Sequence, residues 1–276
     1  MQTQLRQAVV VAFGRTPYCK ARKGSFAQLH PVEYGAQTLL GVLARVPQLR
    51  PEDIGDVIMG CAMPFGVQGG NMARLIVQRA GLPDCVTAQT VNRYCSSGLQ
   101  TIATAANAIR CGEEDVVIAG GVESMSLVPM LVGAEDADPW LAEHRPEVYT
   151  TMGITAENVA RQWGISRADM DAMAVESHRR AAQAQAGGCF DGQIIPITVP
   201  GPDGGEVVVC RDEGIRPGTT AETLAGLKPC FLENGSVTAA TSSQMTDGAG
   251  FVVLMSEEKA AELGVKPLAR FVSFAT

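Results

Sequence analysis

Through the first 121 residues, short runs rich in valine and isoleucine alternate with segments of helical periodicity: QAVVVAF, EYGAQTLLGVLARV, DVIMG, NMARLIVQRAG, VTAQTV, the segment after Cys95, and DVVIAGG. That alternation specifies an α/β layered fold. None of the apolar runs carries the hydrophobic/polar alternation of a half-solvated sheet, so helices are expected on both faces and the sheet deep inside. After DVVIAGG, which ends at Gly121, the next comparable run is GFVVLM from Gly250 to Met255. The gap far exceeds the roughly dozen residues that a crossover needs. We therefore expect three parts: a core over 1–121, an inserted subdomain over 122–248, and a return to the core over 249–276.

Within the insertion, the stretch from Ser166 to Ala186 reads as one long helix, with Ser166 as cap, Asp169 at the third position and Gly187-Gly188 as the stop. PGPDGGE and RPGTT mark loops. Near the end, Ser256 is placed to cap a short helix that Gly264 terminates, and LARFVSFA reads as a further strand. The faint likeness of ARFVSFA to AVVVAFG near residue 8 fits either the first strand of a second copy of the fold or chance.

Composition narrows the class of function. A net charge of −7 argues against nonspecific nucleic-acid binding, while leaving room for a local basic pocket for an anionic ligand. The eight cysteines include no CxxC pair and no Cys/His cluster at metal-ligand spacing, which points to reduced thiols with neither a disulfide framework nor a metal site. The sequence shows no signal-peptide pattern and no apolar window of the ~18 residues that span a membrane. A cytoplasmic protein is expected.

The segment TVNRYCSSGLQTIATAANAI carries the chemistry: a strand turns through Asn92, Arg93 and Tyr94 and delivers Cys95 to the start of a helix. Leu99, Ile102, Ala103, Ala106 and Ile109 follow at helical spacing and are expected to face the core. Amide donors and the dipole of a helix N-terminus stabilise a thiolate there by ~0.3–1 kcal/mol when exposed and up to ~2 when partly buried. Full activation of a nucleophile would need an additional base. Taken blind, a cysteine after a strand is more often a small buried hydrophobe.

The surrounding blocks decide between these readings. NRYCSSGLQ, GGVESMS, MGITAENVA, DEGIRPGTT and GSVTAATSSQMTDGAG stand in the order in which thiolases carry their related blocks, so the chain resembles the N-terminal part of that family. The resemblance implies one α-β-α half of a duplicated α-β-α-β-α architecture with an inserted α-rich loop subdomain. It implies that Cys95 accepts the acyl group of a 3-ketoacyl-CoA and passes it to coenzyme A, the reverse reaction being a Claisen condensation. Coenzyme A and acyl-CoA are then substrates, with no tightly bound cofactor, and a homodimer or homotetramer is expected.

Further residues follow from the same resemblance. Ser243, in the block with Ser242 and Asp247, is expected on the pantetheine arm of coenzyme A. Of Arg211, Arg216 and Lys228, which could each pair with phosphates or simply face solvent, Arg216 is favoured because it lies in DEGIRPGTT. Met152, with Gly153, is expected to shape the acyl pocket and Met125 to line it. Gly120 and Gly121 read as a structural turn after a strand. Thr151, where acetoacetyl-CoA-type thiolases tend to carry histidine, and Thr241, in place of a common asparagine, favour a broader 3-ketoacyl-CoA range.

Two segments that thiolases use, a glycine-histidine-proline supplying the base and a later second cysteine, have no counterpart here. His30, His144 and His178 read as surface or structural residues. We therefore expect a truncated or split product holding half an active site, inactive alone, with exposed apolar surface and an unprotected final strand. The alternatives are a noncatalytic coenzyme A-binding or subunit-interaction fragment and a biosynthetic acetoacetyl-CoA thiolase. A condensing enzyme of the ketoacyl-synthase type shares the strand-cysteine-helix logic, but the blocks after residue 120 fit thiolases better.

Overall fold

The computed structural model describes residues 5–130 and 136–276, and these divide into two compact units. The first comprises 1–129, 192–213 and 246–276, the second 130–191 and 214–245.

The first unit is built on one sheet. Its strands are β1 (Ala8–Arg15), β2 (Cys19–Lys20), β3 (Asp56–Gly60), β4 (Thr87–Val91), β5 (Val116–Glu123), β8 (Thr246–Ser256) and β9 (Ala269–Arg270). They run in the order β4-β3-β5-β8-β1-β9, with β2 also on β8. β3 is parallel to β4 and β5, whereas β8 is antiparallel to both β5 and β1. The last long strand therefore inserts between two earlier ones.

Period-2 geometry sorts side chains onto the two faces. Val57 and Met59, Val116 and Ile118, and Val253 and Met255 join Tyr34, Leu39, Met72 and Ile76 in one core cluster, which includes α1 (Pro31–Leu43) and α2 (Met72–Arg79). Ile58, Val117, Ala119 and Leu254 point the other way, against Ala105, Ala106 and Ile109 of α3 (Ser97–Cys111). Helices cover both faces, as the apolar strand runs require. The edge strand β4 is an exception to the expected deep burial, since Thr87 and Gln89 are exposed.

α3 also departs from the expected stripe. Ala103, Ala106 and Ile109 are buried, but Leu99 is 58% exposed and the inner face is completed by Ser97, Thr101 and Ala105. The reason is close approach. A Cβ on Gly60 would lie 2.7 Å from the Ser97 carbonyl carbon, and one on Gly121 3.2 Å from the Gly60 carbonyl oxygen. Only small side chains fit where the helix presses on glycine backbone, and Thr101 Oγ1 uses the proximity to donate to the Gly120 carbonyl at 2.9 Å.

Two boundaries differ from expectation. The hairpin β6 (Ile197–Pro200) and β7 (Glu206–Val209) belongs to the first unit rather than to an insertion over 122–248. Gln37 pairs with both backbone groups of Thr198, Arg45 donates to the carbonyls of Gly192 and Ile194, and Arg15 forms a bidentate pair with Asp212. At the end of the chain only Ala269–Arg270 of LARFVSFA pair as strand, on β1.

The second unit is helical, with α4 (Pro139–His144), α5 (Met152–Trp163), α6 (Arg167–Ala186) and α7 (Ala221–Ala225). Ser166 and Asp169 form the expected capping box, and Gly187 caps the far end of α6. Arg167 ties α6 to α7 by donating to the carbonyls of Leu224 and Leu227. After β8, Ser256 caps α8 (Glu257–Glu262), and Gly264 follows with φ +65°. No described helix is long and apolar enough to cross a membrane.

Candidate active site

Cys95 lies between β4 and α3, one residue before the N-cap Ser96, with an exposed, free thiol. Its turn is held by a dense local network. Tyr94 adopts φ +47°, a left-handed conformation that strains a non-glycine residue by about 1–3 kcal/mol. Asn92 Oδ1 accepts from the Tyr94 amide at 2.8 Å, and the Tyr94 carbonyl accepts from Ser97 N at 3.0 Å and Ser97 Oγ at 2.6 Å. The Arg93 amide donates to Ser97 Oγ at 2.8 Å, while its carbonyl accepts from Ser96 N and Ser96 Oγ. Every residue from 92 to 97 except Cys95 has a hydrogen bond that shapes the turn, and the thiol is carried at its apex.

The carbonyl end of β3 supports this turn, with the Cys61 amide donating to the Val91 carbonyl and Asn92 Nδ2 to the Ala62 carbonyl, each at 3.1 Å. Gly120 and Gly121 lie inside β5 rather than in a turn after it, because the strand continues to Glu123 opposite Gly248 of β8. A Cβ at Gly120 would collide with the Gly250 carbonyl oxygen. Just beyond, buried Asp247 accepts from the Ser126 amide at 2.9 Å and from its hydroxyl, fixing the GGVESMS loop. Met125 is half-buried there.

Sequence reasoning placed Glu123 in a structural block but did not reveal what its carboxylate holds. The carboxylate accepts from the Ala62 amide at 2.7 Å, the Met63 amide at 3.3 Å and Gln68 Nε2 at 2.7 Å. The Cys61 thiol lies 3.9 Å from it, and burial together with the Glu123 charge pushes that thiol up to about 12. Cys61 is thus a neutral, buried group. The signal available was its place in the GGVESMS block at the end of an apolar strand run, which does not by itself reveal its partners.

Met152, Arg216 and Ser243 belong to the second unit and are all exposed. Gln244 Nε2 donates to the Gly214 carbonyl at 2.7 Å, which brings the Ser243 segment beside the one bearing Arg216. Met152 opens α5, and Gly153 abuts the Phe231 ring so closely that a Cβ would overlap it. Glu157 on the same helix accepts from the amides of Ser236 and Val237 at 2.8–3.0 Å. Burial raises its pKa, but those hydrogen bonds outweigh the penalty and hold it below the ordinary carboxylate range. Arg211 and Lys228 are exposed as well.

Each histidine has a local role. His30 Nδ1 caps α1 by accepting from the Val32 amide, and His144 stacks on Trp140 with ring centroids 4.6 Å apart. His178 Nδ1 accepts from the Arg216 amide at 3.2 Å, and burial followed by the Arg216 charge lowers its pKa. Among the described residues no group of three or more His, Cys, Asp or Glu is arranged to hold a metal ion.

The sheet, covered by helices on both faces, thus delivers an exposed cysteine on a strained strand-to-helix turn. Residues 8–258 match the family model described as thiolase, N-terminal domain, and the chain belongs to the thiolase family. It is 49% identical over 279 residues to a 3-ketoacyl-CoA thiolase of Bacillus subtilis, covering 98% of this chain and 71% of that protein. An acetyl-CoA acetyltransferase of Cupriavidus necator is 41% identical, with 98% and 71% covered. The crystal structure of the Bacillus anthracis acetyl-CoA acetyltransferase superposes with a TM-score of 0.87 at 39% identity, covering 97% of this chain and 70% of that one.

Proposed function

We propose that this chain performs thiolase-type acyl transfer with Cys95 as the acyl carrier. The observation that supports it most is the exposed Cys95 thiol on a turn whose every neighbour is fixed. The thiolate would add to the keto carbon of a 3-ketoacyl-CoA. Collapse of the tetrahedral adduct breaks the carbon-carbon bond, the departing carbanion takes a proton to become acetyl-CoA, and the acyl group remains on Cys95. Attack by the thiol of coenzyme A then releases the shortened acyl-CoA and regenerates the thiolate.

Ser243 and Arg216 are proposed to contact coenzyme A, Ser243 at the pantetheine arm and Arg216 at a phosphate, with Met152 shaping the acyl pocket. Support comes from their exposure and from the Gln244 link between the first two segments. A 3-ketoacyl-CoA range broader than acetoacetyl-CoA is favoured, because Thr151 stands as the N-cap of α5 and Thr241 accepts from the Thr238 amide, neither offering an imidazole or a carboxamide. The more similar of the two relatives named above is also the 3-ketoacyl-CoA thiolase. Eight free thiols suit a reducing cytoplasm, and a homo-oligomer is the proposed assembly.

The base for Cys95 and the acid for the carbanion are proposed to come from outside residues 1–276, since His30, His144 and His178 are engaged in local structure. That same observation favours the second reading, a noncatalytic coenzyme A-binding or subunit-interaction piece. A thiolysis assay separates the two. Residues 1–276 alone should cleave 3-ketoacyl-CoA far below the ~1–10³ s⁻¹ of ordinary enzymes, because general acid-base assistance contributes ~10²–10⁴-fold. Supplying the C-terminal portion of a longer relative in trans should restore turnover, and Cys95→Ala should abolish it. Ordinary rates from this chain alone would refute the external base, and turnover in Cys95→Ala would refute the carrier.

A further inference from the structure

Glu123 and Cys95 lie on different elements, yet a continuous set of hydrogen bonds runs from Glu123 to Tyr94, the residue just before Cys95. Glu123 ends β5 in register with Gly248 of β8, so its backbone is fixed by the sheet. Its carboxylate fixes the loop after β3 by accepting from the Ala62 and Met63 amides and from Gln68, itself fully buried. The Ala62 carbonyl in turn accepts from Asn92 Nδ2 at 3.1 Å. Asn92 Oδ1 holds the amide of Tyr94 at 2.8 Å, and Tyr94 is the left-handed residue that presents Cys95.

We infer that Glu123 is a positioning residue for Cys95, acting through the Ala62 carbonyl and the Asn92 carboxamide on the strained Tyr94 turn. The inference rests on the reading of Cys95 as the nucleophile. Its physical content is that a left-handed tyrosine persists only where its surroundings over-determine it. Asn92 is the side chain that grips the Tyr94 amide, and Asn92 is anchored to a loop whose position depends on the carboxylate. In Glu123→Gln the new carboxamide would present its amino group to donors, since two backbone amides and Gln68 already approach from the loop. The loop would then shift, and with it the orientation of the thiol relative to the helix.

The test is the second-order rate of iodoacetamide alkylation at Cys95 from neutral to alkaline pH in the full 276-residue chain. Peptide mapping reads Cys111, exposed at the other end of α3, as the internal reference. In Glu123→Gln the Cys95 rate at neutral pH should fall by about tenfold and its pH midpoint should move up, the order of effect expected of a small misplacement. Cys111 should be unchanged. Asn92→Ala, at an exposed position, should reproduce the effect, and the double variant should be no slower than either single variant, because both break one relay. Glu123→Asp, which keeps the charge, should retain more of the rate than Glu123→Gln.

An unaltered Cys95 profile in a cooperatively folded Glu123→Gln would overturn the relay, as would parallel changes at Cys95 and Cys111. Should Glu123→Gln fail to fold, Asn92→Ala decides by itself, and a parent-like Cys95 rate there overturns the relay. A parent chain in which Cys95 reacts no differently from Cys111 would instead refute the nucleophile reading on which the relay rests.

Discussion

Tyr94 shows where residue-level reading reached its limit. Cys95 was legible because a strand pattern, a turn and a helix pattern surround it in order, but left-handed backbone is ordinarily signalled by glycine or asparagine, and a tyrosine gives no such sign. What the Glu123 carboxylate holds was hidden for a related reason, since its partners at Ala62, Met63 and Gln68 are 55–61 residues away in sequence. His178 makes a prediction at this scale. Its folded pKa is lowered, so the neutral ring contributes stability that is complete above the ordinary histidine value of about 6.5 and is lost as pH falls through the lowered value. Thermal unfolding followed by circular dichroism should show a midpoint that drops as pH falls below the ordinary histidine value of about 6.5. In His178→Asn, where an amide oxygen can accept from Arg216 N without titrating, that component should vanish. An identical pH profile in the variant would show that other groups carry the dependence.

At the scale of elements, capping and periodicity were read well because their signals are local. The Ser166/Asp169 box and the Ser256 cap stand where the residues specify them. The inner face of α3 was misread at Leu99, since periodicity sees hydrophobicity and cannot see that glycines at 60 and 121 bring strand and helix backbones together. This predicts an unusual sensitivity to small additions. Gly60→Ala would place a methyl 2.6–2.8 Å from Ser97 and Gly98 backbone and side-chain atoms, and should destabilise the fold by about 1–3 kcal/mol in urea denaturation. Gly98→Ala is the control, because its nearest neighbour would be the Gly120 carbonyl oxygen at 3.9 Å, and it should be nearly neutral. Equal effects would show that close approach does not shape this helix.

For the whole molecule, strand and helix alternation marked an α/β fold with both faces covered, while strand order lay beyond it. β8 enters between β5 and β1 and pairs with residues more than a hundred positions away, and such pairing is decided by the assembled core and not by any local segment. The family resemblance reached further, and residues 8–258 match the family model. The central claim is that one thiol among eight is the acyl carrier. The most direct test is labelling with one equivalent of bromoacetyl-CoA followed by peptide mapping. Burial keeps Cys19 and Cys61 protonated and shielded, with Cys61 pushed up to about 12, whereas Cys85, Cys111, Cys189, Cys210 and Cys230 are exposed, as Cys95 is. The account predicts a single adduct on Cys95 that excess coenzyme A suppresses. Label spread over the exposed cysteines, or a Cys95 adduct indifferent to coenzyme A, would contradict it.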